Sequence, residues 1–107
     1  MANVRMTQVT ALIIQAVGAG YRYGFDIMDI TGLASGTVYP ALRRLEGADL
    51  LKGTWEEVEA AHRGGRPQRR MYELTEEGEV ALTAAADKLA AAKALLLSTP
   101  RAKGAGG

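Results

Sequence analysis

A chain of 107 residues, 48% of them hydrophobic, suits one domain with a modest core, the size at which association often adds stability. It has no cysteine, which excludes disulfides and thiolate metal sites and suits a reducing cytoplasm. A net charge of +1 is too small to mark a nucleic-acid binder by itself, and no apolar run is long enough to span a bilayer. Met1-Ala2-Asn3-Val4-Arg5 is not followed by a signal-peptide pattern with a cleavage site, although Ala11 to Val17 is apolar. The expected location is therefore cytoplasmic.

The first predicted helix runs from Thr7 to Gly18. Val9, Leu12, Ile13, Ala16 and Val17 recur at helical spacing, Thr7 is a suitable cap, and Gly18-Ala19-Gly20 ends it. After Tyr21-Arg22-Tyr23-Gly24 a short second helix is expected over residues 24–31, partly burying Phe25, Ile27, Met28 and Ile30. Asp26 and Asp29 stand three apart on its outer face. That spacing allows a catalytic carboxylate pair, but solvated acids near a helix N-terminus are the favoured reading.

Gly32 turns the chain into the stretch Leu33 to Glu46. Val38, Ala41, Leu42 and Leu45 form one apolar face, and Thr37, Tyr39, Arg43, Arg44 and Glu46 lie off it. Two short helices joined by a tight Gly turn make a helix-turn-helix, in which this second helix would be the one that reads DNA. Arg binds phosphate or guanine bidentately, Ser35 is a good N-cap, and a helix N-terminus attracts phosphate. The alternative is an ordinary amphipathic helix with Arg43 and Arg44 solvated. Pro40 breaks the local rule: with Ser35 as cap it falls inside the helix. The helix is then expected to begin near Tyr39 or to carry a distorted first turn.

Beyond Gly47-Ala48 the pattern becomes that of strands, Leu50 to Glu59 and Gln68 to Leu74. The tip between them is Ala60-Ala61-His62-Arg63-Gly64-Gly65-Arg66-Pro67. From His62 to Arg70 every charged side chain is basic, which fits a DNA backbone or minor groove. A solvated loop that keeps an edge strand soluble is the alternative. The last helix is predicted from Thr75 to about Ser98, with Glu76 and Glu77 in its first turn. Leu82, Ala85, Leu89, Ala92 and Leu96 form a heptad-like seam. The seam would pair with a second subunit or fold back on the first helix. Residues 99–107 read as a disordered tail.

The expected fold is mainly α with a small β-hairpin. Residues 1–74 would form a winged helix-turn-helix, and residues 75–98 a long C-terminal dimerisation helix. With that order in hand, four motifs together resemble the PadR family of bacterial transcriptional regulators. They are Tyr23-Gly24-Phe25-Asp26-Ile27, the run from Ser35 to Glu46, Gly64-Gly65-Arg66-Pro67, and the run from Met71 to Gly78. The likeness spans Thr7 to Leu97 and is nearest the short subfamily with a single C-terminal helix.

The resemblance implies a homodimer, usually a repressor. The helix Ser35, Gly36, Thr37, Tyr39, Pro40, Arg43, Arg44 would enter the major groove, with Tyr23 and Gly24 near phosphate. The hairpin residues His62, Arg63, Gly64, Gly65 and Arg66 would lie along the adjacent backbone or minor groove. Val9, Leu12, Leu82, Ala85, Leu89, Ala92 and Leu96 would form the dimer interface, where a small aromatic or hydrophobic effector could be held and release DNA. The sequence departs from the family's pattern at Gly47 and Asp49, where a helix former and Gly are usual, and its terminal helix has no aromatic residue.

An enzyme is disfavoured. The sole histidine, His62, has no Cys and no acid close by in the hairpin tip, too few groups for a familiar metal site or triad. No cofactor is implied. A winged-helix module that docks on proteins without sequence-specific DNA binding is the rival reading. Arg43 and Arg44 beside a basic wing discriminate the two.

Overall fold

A computed structural model describes residues 4–98. Helix α1 (Gln8–Gly18) begins at Thr7, whose Oγ1 accepts from the Thr10 N–H at 3.1 Å. Its Ala11, Ile13, Ile14, Ala16 and Val17 are buried, and the helix packs against the last helix, α2 and α3. Helix α2 (Gly24–Thr31) stops at Gly32, whose φ of 75° is a left-handed cap that glycine takes without strain. Of the α2 residues only Gly24 and Ile27 are buried. Phe25 and Ile30 are 71% and 52% exposed, against the partial burial expected of them, because the short helix offers the core only one face.

Helix α3 (Ser35–Gly47) is continuous. It neither begins near Tyr39 nor has a broken first turn: the N–H groups of Thr37 and Val38 both bond to the Ala34 carbonyl at 2.9 Å. Ala34 is the cap residue and makes no side-chain bond, so Ser35 is the first helical residue and not the cap. Pro40 is tolerated because the carbonyl it fails to serve belongs to Gly36, which is exposed to water. Val38, Ala41, Leu42 and Leu45 are buried as their spacing requires.

Strands β1 (Leu51–Trp55) and β2 (Arg70–Leu74) pair antiparallel, with Leu51 opposite Leu74 and Trp55 opposite Arg70. The first strand does not continue to Glu59. Val58–Arg63 forms a one-and-a-half-turn helix, α4, inside the hairpin tip. Its composition suits it: Glu59 is near the N-terminus, His62 and Arg63 are in the last turn, and Ala61 is buried beneath.

Helix α5 (Glu76–Leu97) is capped by Thr75 Oγ1, which accepts from the Gly78 N–H at 3.0 Å and donates to the Asp49 carbonyl at 2.5 Å. A Cβ at Gly78 would lie 2.1 Å from the Leu50 carbonyl oxygen, so only glycine lets the chain cross there. Helix α5 packs along α1 of its own chain. Ala85, expected at a dimer interface, is instead completely buried in this core and is not free to face a second subunit. Leu82 and Leu89 also pack on that core. The large apolar side chains of α5 left outside are Val80 and the last turn, where Leu95, Leu96 and Leu97 are each more than 70% exposed. The expected disordered tail lies outside the described residues.

Candidate nucleic-acid interface

With its apolar stripe sunk in the core, α3 turns the opposite side outward. Ser35, Gly36, Tyr39, Arg43 and Arg44 are exposed, and Thr37 and Pro40 are half-buried at its edges. Among the described residues Arg43 and Arg44 face no carboxylate within ion-pair distance. The nearby acid on this helix, Glu46, is engaged by Arg70 at 2.5 Å. That pair passes over Gly53, where a Cβ would come within 2.8 Å of both the Arg70 Nε and the Glu46 carboxylate. It ties the end of the helix to β2, and the Arg70 guanidinium also lies 5.3 Å from the Trp55 ring. Tyr72 sits beneath, its phenol pushed up by burial, with Glu46 adding to the shift.

Tyr39 reaches across to the start of α2. A Cβ on Gly24 would meet its ring at 2.4 Å, so glycine is required there by close approach. Tyr23, just before it, bridges Met71, and the Tyr72 N–H bonds to the Arg22 carbonyl at 2.8 Å. The N-terminus of α2 is thus pinned between the outward helix and the hairpin. The first N–H groups of α2 have no side-chain cap, the condition in which a helix N-terminus accepts an anion.

The hairpin tip is built otherwise than its basic sequence suggests. His62 and Arg63 close α4 and are exposed, as are Gly64 and Gly65, the latter at φ 66°. Arg66, expected on DNA, is instead bound to Glu56 through two bonds of 2.5 and 2.8 Å. Arg69 adds a guanidinium bond at 3.1 Å and its backbone N–H at 3.2 Å to the same carboxylate. Arg66 first and then Arg69 hold the Glu56 carboxyl at about 2, well below the ordinary value of 4.5. The Arg69 guanidinium lies 3.8 Å over the Tyr23 ring, so the wing is fastened to the head of α2. Glu46 and Glu56 are plain in the sequence as acids, but their pairing with Arg70, Arg66 and Arg69 is not. Their partners lie 10 to 24 residues away, and the one local sign was an acid standing just before a basic tip.

Of the residues expected at a dimer interface, Leu82, Ala85 and Leu89 sit against the chain's own core, whereas Leu96 is exposed. Leu12 lines a surface groove with Ala16, Tyr21 and Ile30, on the side of α1 that faces α2. It is therefore not brought to Leu89 and Ala92 within one chain.

The model of the Transcriptional regulator PadR-like family matches residues 13–84. This chain belongs to the PadR family. No curated protein matches it. A PadR family regulator from Clostridium difficile R20291 is similar, with a TM-score of 0.68, 24% identity, and coverage of 84% of this chain and 95% of that one. A PadR-like transcription factor from Bacteroides fragilis aligns with a TM-score of 0.64 and 26% identity, over 82% of this chain and 85% of its own. The Streptococcus mutans UA159 protein smu.1704 aligns with a TM-score of 0.63 and 26% identity, over 86% and 87%. The family is one of DNA-binding transcriptional regulators with a winged helix-turn-helix, which typically dimerise, and its members are not enzymes. Among the described residues no His, Cys, Asp or Glu cluster could hold a metal ion, and no helix is long and apolar enough to cross a membrane.

Proposed function

We propose that this PadR regulator binds an inverted-repeat operator as a homodimer and represses transcription there. Helix α3 lies in the major groove, with Arg43 on base edges and Arg44 on phosphate. Tyr39 and Thr37 position the helix, and the head of α2 at Tyr23 and Gly24 approaches the backbone. From the wing, Arg63 and His62 reach the adjacent backbone or minor groove. The observation that carries this reading is the exposed Arg43 and Arg44 pair on the face of α3 opposite its buried stripe, with no carboxylate among the described residues taking up either charge. A helix that only docked on protein would have no use for two unneutralised guanidinium groups beside a wing.

Repression and effector release are supported by family resemblance. Any effector held between paired terminal helices would meet Ala and Leu, since α5 has no aromatic side chain. The test of the reading is Arg43→Ala. On the duplex preferred by the wild type it should lose about 1–3 kcal/mol and relax specificity at one position per half-site. Undiminished binding to that duplex would remove α3 from the groove.

A further inference from the structure

The wing carries Arg63, Arg66, Arg69 and Arg70, yet three of these already face carboxylates of their own chain. The Glu46–Arg70 pair is a brace between α3 and β2. The other pairing is of a different kind. The Glu56 side chain is only 7% exposed, gripped by the fork of one guanidinium, by a second guanidinium and by a backbone N–H. These are the donor types that proteins use to hold a phosphate oxygen. Arg66 and Arg69 themselves stay 32% and 39% exposed, so both reach the surface of the element expected to lie on the DNA backbone.

We propose that Glu56 is an internal phosphate mimic that sets the regulator's specificity by occupying Arg66 and Arg69. This role of Glu56 rests on the DNA-binding function proposed above. Affinity for duplex of any sequence grows with the number of phosphates neutralised, whereas base reading does not. One carboxylate per wing cancels one of two adjacent charges and commits donors of both arginines. It therefore lowers the background that every sequence shares and leaves the contribution of α3 untouched. Specificity is a difference of affinities, so weakening the common term sharpens it. Backbone bonds hold Glu56 in place as well: its N–H donates to the Arg69 carbonyl at 2.8 Å, and its own carbonyl accepts from Gln68 Nε2 at 2.5 Å.

The experiment is anisotropy titration of a duplex of random sequence over a series of salt concentrations. Glu56→Gln should bind it more tightly than the wild type, with a salt slope steeper by about 0.9 per wing. The double variant Glu56→Gln with Arg66→Gln should return to the wild-type slope, since one freed charge is removed again. A purely structural Glu56 would give the opposite result, weaker binding in the single variant, and that or an unchanged slope overturns the proposal. A measurement on the wild type is independent of the variant's folding. On adding the duplex, the Arg66 side-chain NMR signals should stay where Glu56 holds them, and a shift as large as that of Arg43 overturns the proposal. A wild-type chain indifferent to duplex DNA would instead overturn the DNA reading and this proposal with it.

Discussion

Asp49 has a backbone φ of 63°, the left-handed region in which an L side chain is strained by about 1–2 kcal/mol, less for Asp than for most. Its N–H bonds to the Glu46 carbonyl and its carbonyl accepts from Thr75, so the conformation is fixed by both neighbours. Replacing it with glycine relieves the strain and keeps both backbone bonds, at the cost of a more flexible unfolded chain. Asp49→Gly should stabilise the protein by a net of about 0.5–1 kcal/mol, read as a rise in melting temperature; a fall would mean that the aspartate side chain itself holds the turn. This position was legible in the sequence as a departure from the family's pattern. Gly78 was legible only as part of a motif. Its reason, the Leu50 carbonyl, lies far back in the chain and comes close only once the helix crosses β1. Glu56 was visible as an acid just before the basic tip, but its pairing with Arg66 and Arg69 was not, since folding brings those partners to it.

Among the elements, α1, α2 and α5 could be bounded from the sequence to within a residue or so, because each has an apolar period and a chemical stop; the end of α3 was legible too, but Pro40 left its start open between Ser35 and Tyr39. The wing could not be bounded. Val58 continues the strand-like run from Leu51, while the helical cues, Glu59, Ala60, Ala61 and Arg63, are too short a stretch to compete. What organises the tip is the ion-pair hub at Glu56, and its titration follows from that. The folded carboxyl takes up its proton at about 2 and the unfolded one near 4.5, so in between the unfolded chain binds more protons. The stability that Glu56 contributes is therefore complete above about pH 4.5 and is lost as pH falls towards 2. Hydrogen exchange at the Arg69 amide should accelerate across that window relative to the helical core, and the pH-dependent part should vanish in Glu56→Gln. An Arg69 amide equally protected throughout would mean that the hub does not hold the tip.

At the scale of the whole molecule, the sequence left α5 two destinations, and the structure assigns most of its length to one. Ala85 is sealed against α1, so the seam read as an interface is largely the chain's own core. The large apolar side chains that α5 leaves exposed are Val80 and the run Leu95, Leu96 and Leu97. An apolar surface of that kind on a small regulator suits pairing through the end of α5. A two-fold pair would set two α3 helices about 34–36 Å apart, one turn of duplex. The most direct test of the central claim, that paired α3 helices read DNA, is selection of duplexes from a random pool by the wild-type chain. The enriched sequence should be an inverted repeat with half-sites one helical turn apart; a single asymmetric site, or a pool left unenriched, would contradict it.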